Sequence, residues 1–258
     1  MKPFIALVAF LMITATLSFP SFSQGKSVQY QSGTTQLEGY FAKAAGAKAP
    51  GVLILHAWMG LTDHEKTTAN RLAKAGYHAL AADVYGIGVH PSSPAEAGKL
   101  AGMYKSNFQE YQNRIKAGID ELVKLGADPN KIVVIGYCFG GTGAIEAARG
   151  ALPVKGIISF HGGLGKDSVR ANEPIVPKVL VLHGADDKYE SPKEIATFQQ
   201  EMRDGHADWQ MVYFSGAVHA FTDPAAGNDN SKGSAYNATA DRRSWEYMMT
   251  FLKEVFGR

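Results

Sequence analysis

Cysteine is almost missing from this sequence: Cys138 is the only one in 258 residues. A single thiol excludes an intramolecular disulfide, so the fold has to be held by its core. Charge imbalance is missing too. The 26 Lys and Arg stand against 24 Asp and Glu, a formal net charge of +2 with no basic tract, which removes the electrostatic footprint of a nucleic-acid or anionic-membrane partner. None of the histidines stands at metal-ligand spacing, and no metal or cofactor is expected. Internal repeats and low-complexity linkers are absent. Long apolar runs are absent except for one, Phe4 to Leu17, preceded by Lys2 and followed by Ser21-Phe22-Ser23. A positive start, a short apolar stretch and small residues form the order of a secretory signal peptide. Residues 1–24 are therefore expected to be removed near Ser23 or Gln24, sending the rest to the periplasm or out of the cell with no stable membrane partner.

The full sequence is of ordinary globular composition at 45% hydrophobic and 19% charged, enough for one sizeable core in 25–258. Two alternating runs between Ser27 and Ala42, split by Gly33-Thr34-Thr35, predict an edge hairpin. Runs that are apolar or nearly so follow at 51–55, 78–84, 132–135, 156–160, 178–182 and 209–214. All but the pair 156–160 and 178–182 are separated from the next by helical patterning, at 64–75 with Asp63 as its cap, 94–104 and 108–125, 142–149 and 192–202, and a last helix at 239–255 closes the chain. Strands apolar throughout that alternate with helices predict a mostly parallel central sheet covered by helices on both faces, an α/β domain. Ligands of such sheets bind at the carboxyl ends of the strands.

One stretch, Lys131 to Gly143 (KIVVIGYCFGGTG), carries more than fold. A β-branched strand, a turn flanked by Gly136 and Gly140 and a helix with Cys138 at the apex form a nucleophile elbow. The glycines let the backbone pass close by. The helix that follows points its unpaired N–H groups at the sulfur and favours the thiolate. Chain order supplies partners. Asp186-Asp187 follow the strand VLVLHG, and His219 follows the strand WQMVYFSG. Nucleophile, acid, histidine is the order of α/β-hydrolases. His219 suits a base that takes and returns a proton, and an aspartate fixes its tautomer. Of the two, the turn pattern favours Asp187, because Lys188-Tyr189-Glu190-Ser191-Pro192 follow it. An oxyanion hole needs two N–H donors: Phe139 after the nucleophile, and Ala57 or Trp58 in the loop after 51–55. His56, His161 and His183 end strands and are expected to bond backbone; His64, His78, His90 and His206 have no evident partner.

At these residues the chain resembles the dienelactone hydrolase family of α/β-hydrolases. The matching pieces are GVLILHAWMGL, AADVYG, GYCFGG, HGADD, AVHAF and SWEYMMTFLKEVF, spanning nearly all of 25–258. The resemblance implies ester or lactone hydrolysis by a cofactor-free triad, which falls here on Cys138, Asp187 and His219, with the second oxyanion donor on Trp58. There are departures. A glutamate that gates the cysteine in familiar members is Ala57 here, and two arginines that bind the substrate carboxylate are Ile87 and Asp223. The resemblance thus supports the reaction class rather than dienelactone itself.

The expectation is an exported hydrolase of carboxylic esters or lactones with activated leaving groups, acting on small molecules as a monomer or small homo-oligomer. Trp58, Tyr85, Phe139, Tyr189 and Phe221 are expected to wall the site, with Tyr85, Tyr189 and Phe221 touching substrate. Two rivals stand beside it: a non-catalytic binding protein on a hydrolase fold, and a thiol redox protein, which would lack a resolving cysteine.

Overall fold

The central sheet has eight strands in the order β1-β2-β4-β3-β5-β6-β7-β8. The structure, a computed structural model, describes residues 25–257; the segment expected to be a signal peptide lies outside them. The strands are β1 Lys26–Ser32, β2 Thr35–Ala42, β3 Gly51–Leu55, β4 His78–Ala82, β5 Ile132–Tyr137, β6 Gly156–Phe160, β7 Lys178–Gly184 and β8 Trp209–Phe214. The first two form the expected antiparallel hairpin at one edge, β2 pairs antiparallel with β4, and β3 to β8 run parallel.

Six helices, α1 Asp63–Lys74, α2 Pro94–Ser106, α3 Phe108–Lys124, α4 Phe139–Arg149, α5 Pro192–Asp204 and α6 Ala238–Phe256, connect and cover the strands. The pure apolar strands work because successive side chains point to opposite faces. Leu53, Leu55, Ile132, Val134, Val179 and Val181 enter one core, filled by α3, α4 and α5. Val52, Ile54, Val133, Ile135, Leu180 and Leu182 enter the other, filled by α1 and α6. Each fully buried Leu or Ile stabilises by about 1.5–3 kcal/mol relative to exposure, so the two-sided pattern fixes both register and layer order. Among the described residues no helix is long and apolar enough to cross a membrane.

Two helix starts differ from the sequence expectation. Thr62, not Asp63, caps α1, because Thr62 and Glu65 form a reciprocal capping box, satisfying two orphan N-terminal groups at once. The helix after the elbow starts at Phe139 rather than Thr142, with Cys138 itself as the residue before the first turn.

Strand order places the chemistry. From β3 the chain moves outward through α1 to β4; from the neighbouring β5 it moves the other way through α4 to β6. Where adjacent parallel strands send their connections in opposite directions, a crevice opens at their carboxyl ends. The loop after β3 and the elbow after β5 flank that crevice.

Candidate active site

Cys138 sits at φ 53°, ψ −114°, a conformation that costs a non-glycine residue on the order of 1–3 kcal/mol. Its neighbours hold it there. A Cβ on Gly136 would lie 1.9 Å from the Gly140 carbonyl oxygen, and one on Gly140 would lie 2.2 Å from that of Leu55. Only glycine at both positions lets strand, turn and helix close this tightly. The Cys138 N–H is held from the β6 end, donating to the Phe160 carbonyl (3.0 Å) and to His161 Nδ1 (3.2 Å).

The three residues singled out by chain order come together. His219 Nδ1 donates to Asp187 Oδ2 at 2.8 Å, and the imidazole is the strongest electrostatic partner of the Cys138 thiol. Asp187 is 7% exposed and fixed further by the Tyr189 N–H on its Oδ1 at 2.9 Å; Asp186 is exposed. Burial works to raise the thiol, but the bond and charge of His219, the Phe139 N–H and the Lys105 charge outweigh it, and Cys138 is held below its ordinary value. Burial works to lower His219, but Asp187 and Cys138 push it up to about 10. Both shifts favour the same state, a thiolate facing an imidazolium.

The loop after β3 is built by a residue whose role was not legible in the sequence. Glu65, 1% exposed, accepts from the Thr62 N–H (2.9 Å), the Thr62 hydroxyl (2.7 Å) and the Ala57 N–H (3.4 Å). The Ala57 N–H, one of the two candidate donors expected of this loop, is thus engaged by Glu65. The Tyr85 hydroxyl donates to the Trp58 carbonyl at 2.8 Å and sets the orientation of that peptide. His56 fastens the two loops to each other, donating through Nδ1 to the Ala57 carbonyl (2.7 Å) and accepting the Val84 N–H at Nε2 (3.1 Å).

The expected aromatic wall divides. Trp58 and Tyr189 stand at the mouth, half-exposed and exposed, and the Tyr189 ring meets His219 edge-on at 5.0 Å. Tyr85, Phe139 and Phe221 are buried and do not line an open wall. Phe139 stacks on Tyr111 at 4.6 Å. Phe221 packs against His161 and Phe214, so it backs the His219 loop instead of meeting substrate. Tyr85 acts through its hydroxyl on Trp58. Large rings at strand ends are the cheapest way to fill the space behind a glycine-rich turn, and packing won over exposure at these three positions.

His161 was expected to bond backbone, and it does so on the nucleophile itself. Its Nε2 also pairs with the Thr222 hydroxyl at 2.8 Å. Accepting at Nδ1, it donates at Nε2, so one ring ties the elbow to the loop that carries His219. Burial, then the charge of His219, hold it far below the ordinary histidine range, so it stays neutral and keeps that tautomer. His64 and His78 also have partners: His64 reaches the Thr222 carbonyl (3.1 Å) and His78 accepts the Ala44 N–H (3.0 Å). His183 Nδ1, expected to bond backbone, is buried without a partner.

A model of the dienelactone hydrolase family matches residues 37–256. The crystal structure of a dienelactone hydrolase-like promiscuous phosphotriesterase from metagenomic libraries is similar, with 36% identity, a TM-score of 0.83, and coverage of 90% of this chain and 98% of that one. A "Putative carboxymethylenebutenolidase" of Escherichia coli (strain K12) is 23% identical over 229 residues, 84% of this chain and 81% of that protein. An uncharacterized Caenorhabditis elegans protein is 32% identical over 146 residues, 55% of this chain and 92% of its own length.

Proposed function

The chain belongs to the dienelactone hydrolase family and is a hydrolase acting on ester or lactone bonds, and from that premise we propose that it is an exported enzyme working through a Cys138-His219-Asp187 triad on substrates with activated leaving groups. The observation that carries the reading is the meeting of His219 with a buried Asp187 on one side and the Cys138 thiol on the other, all at the carboxyl ends of strands. The Cys138 thiolate attacks the carbonyl carbon, and the C=O electron pair moves to oxygen between the N–H groups of Phe139 and Trp58. The pair returns, the C–O bond to the leaving group breaks, and the His219 imidazolium gives its proton to the departing oxygen. The thioester carries no charge at sulfur, so His219 loses one of the two supports that raised it. Now neutral, it takes a proton from water, whose oxygen attacks the thioester; sulfur departs as thiolate and acid is released.

A thiolate is a better leaving group than most alkoxides, so a tetrahedral adduct of an unactivated ester reverts. Enol-lactones, aryl esters and thioesters go forward. The phosphotriesterase named in the solved relative adds activated aryl phosphotriesters to the panel, since the same thiolate and oxyanion donors suit attack at phosphorus. Export rests on Lys2, the apolar run 4–17 and Ser21-Phe22-Ser23; recovery of the protein from cells with residues 1–24 still attached refutes that part.

The test is pre-steady-state hydrolysis of an activated aryl ester by wild type and Cys138→Ala. The expected result is a burst near one equivalent that vanishes in the variant. Equal turnover by both proteins overturns the nucleophile, and turnover by neither leaves a binding protein on a hydrolase fold.

A further inference from the structure

In the sheet the strand of the nucleophile lies between β3 and β8, so the loop after β3 and the loop that carries His219 stand on either side of Cys138. One side chain touches the supports of both. His64 lies in the first turn of α1. Its Nε2 reaches the Thr222 carbonyl at 3.1 Å, across 158 positions of sequence. Its Nδ1 lies 3.6 Å from Glu65 Oε1, the oxygen that also accepts the Ala57 N–H. The Thr222 hydroxyl pairs with His161, which in turn accepts the Cys138 N–H. The contacts thus run from the loop after β3 through Glu65, His64, Thr222 and His161 to the nucleophile.

The partners of the ring set its protonation. A carbonyl oxygen and an ionised carboxylate can only accept. Nε2 therefore carries a hydrogen toward Thr222, and a hydrogen on Nδ1 as well is the state that attracts Glu65. A neutral ring would turn its Nδ1 lone pair on a carboxylate whose side chain is 1% exposed. The charged groups around it favour the imidazolium from three elements: Glu65 on α1 itself, Asp223 in the loop after β8, and Asp241 on α6. Asp63 points to water, and Arg71, further along α1, lies over the Trp245 ring at 3.5 Å. Tyr137 from β5 meets the ring edge-on at 4.5 Å, and burial keeps its hydroxyl protonated. His161 from the end of β6 is neutral. Burial works to lower His64, but Glu65, then Asp223 and the Thr222 carbonyl, outweigh it and hold it above its ordinary value. The amino end of α1 disfavours a cation, and these acceptors offset it.

We propose that His64 is a positioning residue for the hydrolysis: as an imidazolium between Glu65 and Thr222, it holds the loop of His219 at a fixed spacing from the loop after β3. It acts through those two neighbours and not on the substrate. The inference rests on His219 as the base of the proposed reaction. The brace is complete below pH 6.5, the ordinary value, and is lost as pH rises through the higher folded one. The neutral ring keeps Thr222 and gives up Glu65.

The test follows kcat for an activated aryl ester from about pH 6 to about pH 10 in wild type, His64→Gln, His64→Phe and Asp223→Asn. Gln keeps a donor for Thr222 without the charge. Phe keeps a ring against Tyr137 and neither polar contact. Misplacing catalytic groups by about 1 Å costs about 100-fold, so His64→Phe is expected to lower kcat by about 10- to 100-fold at the acid end, and His64→Gln by less. The ratio of wild-type to Gln kcat cancels the titration of His219, which both proteins share. That ratio is expected to fall toward one as pH rises through the His64 midpoint, read separately from its ring proton by NMR. Asp223→Asn retains the oxygen that accepts the Ala225 N–H and removes a charge that supports His64, so the NMR midpoint and the kcat limb should both move down. It leaves His64 in place and reads the charge even where a His64 variant folds poorly. Unaltered kcat in both His64 variants overturns the proposal. So does a loss that is the same at every pH, or a midpoint that moves in Asp223→Asn without the kcat limb, since either leaves His64 as packing alone. Failure of the triad reads differently: Cys138→Ala then turns over the ester as fast as wild type, whatever the His64 midpoint.

Discussion

Because Cys138 is the only cysteine, alkylation of the protein by iodoacetamide reads the ionisation of one thiol. Thiolate, not thiol, reacts, so the rate against pH traces the Cys138 charge directly. The structure predicts what removing His219 does. The bond and charge of His219 are the largest influences lowering the thiol, the Phe139 N–H and Lys105 come after them, and burial opposes all of these. In His219→Ala the two leading influences go and burial stays, so the alkylation midpoint moves up. A charge-assisted hydrogen bond is worth about 1.5–3 kcal/mol, so the rate at pH 7 is expected to fall by about 10- to 150-fold. Lys105→Met should move the midpoint in the same direction by less. In wild type the thiolate-imidazolium pair should persist upward until His219 loses its proton near pH 10. An unchanged midpoint in His219→Ala would refute the ion pair and hand control of the thiolate to the amino end of α4.

Two further outcomes concern the supports of the site. Glu65→Gln removes the charge that receives Thr62 and Ala57, and should cost about 1–3 kcal/mol in urea unfolding at pH 7 while lowering kcat through a looser Trp58 loop. Burial works to raise the Glu65 carboxyl, but His64 and then Thr62 outweigh it and hold it below 4.5. Its stabilisation is therefore full above 4.5 and lost as pH falls through the folded value; the gap between wild type and variant must close in acid, and a gap independent of pH contradicts this. Arg149→Met strips a nearly buried guanidinium from Glu201 (2.7 Å), Glu146 (3.0 Å) and the carbonyls of Leu164 (2.8 Å) and Gly165 (3.1 Å). Glu201 keeps Lys166 (3.3 Å) and Glu146 keeps Arg170 (2.9 Å), so neither carboxylate is stranded and the loss of the charged hydrogen bonds should cost about 1.5–3 kcal/mol in the same unfolding assay; a loss under about 1 kcal/mol sinks the claim that this network holds the 161–166 loop.

Much of the architecture was legible from local pattern. Runs such as VLIL and IVVI alternate between two cores, so they could only be strands covered on both faces, and the helices between them made the sheet parallel. Helix ends were less legible. The competition between Thr62 and Asp63 for the cap of α1 was decided by whether Glu65 could reach back, which depends on packing the α1 start under Ala57. The start of α4 at Phe139 depends on the elbow closing against the Leu55 carbonyl, a contact across 85 positions of sequence that no local pattern contains.

By itself the sequence determined the candidate groups: Cys138 at a glycine-flanked turn, an aspartate and a histidine after later strands, in one chain order. These are strand-end residues, and a parallel sheet sends every such end to the same side. Only the tertiary structure decided which neighbours share them. It chose Asp187 over Asp186, because one faces His219 and the other faces water. It turned Tyr85 and Phe221 inward, and it joined His161 to both the Cys138 N–H and Thr222. It also brought His64 to the Thr222 carbonyl. Those partnerships join residues tens of positions apart, and their geometry comes from how β3, β5, β6, β7 and β8 end side by side, which the order of strands in the sheet sets and the order of residues in the chain does not.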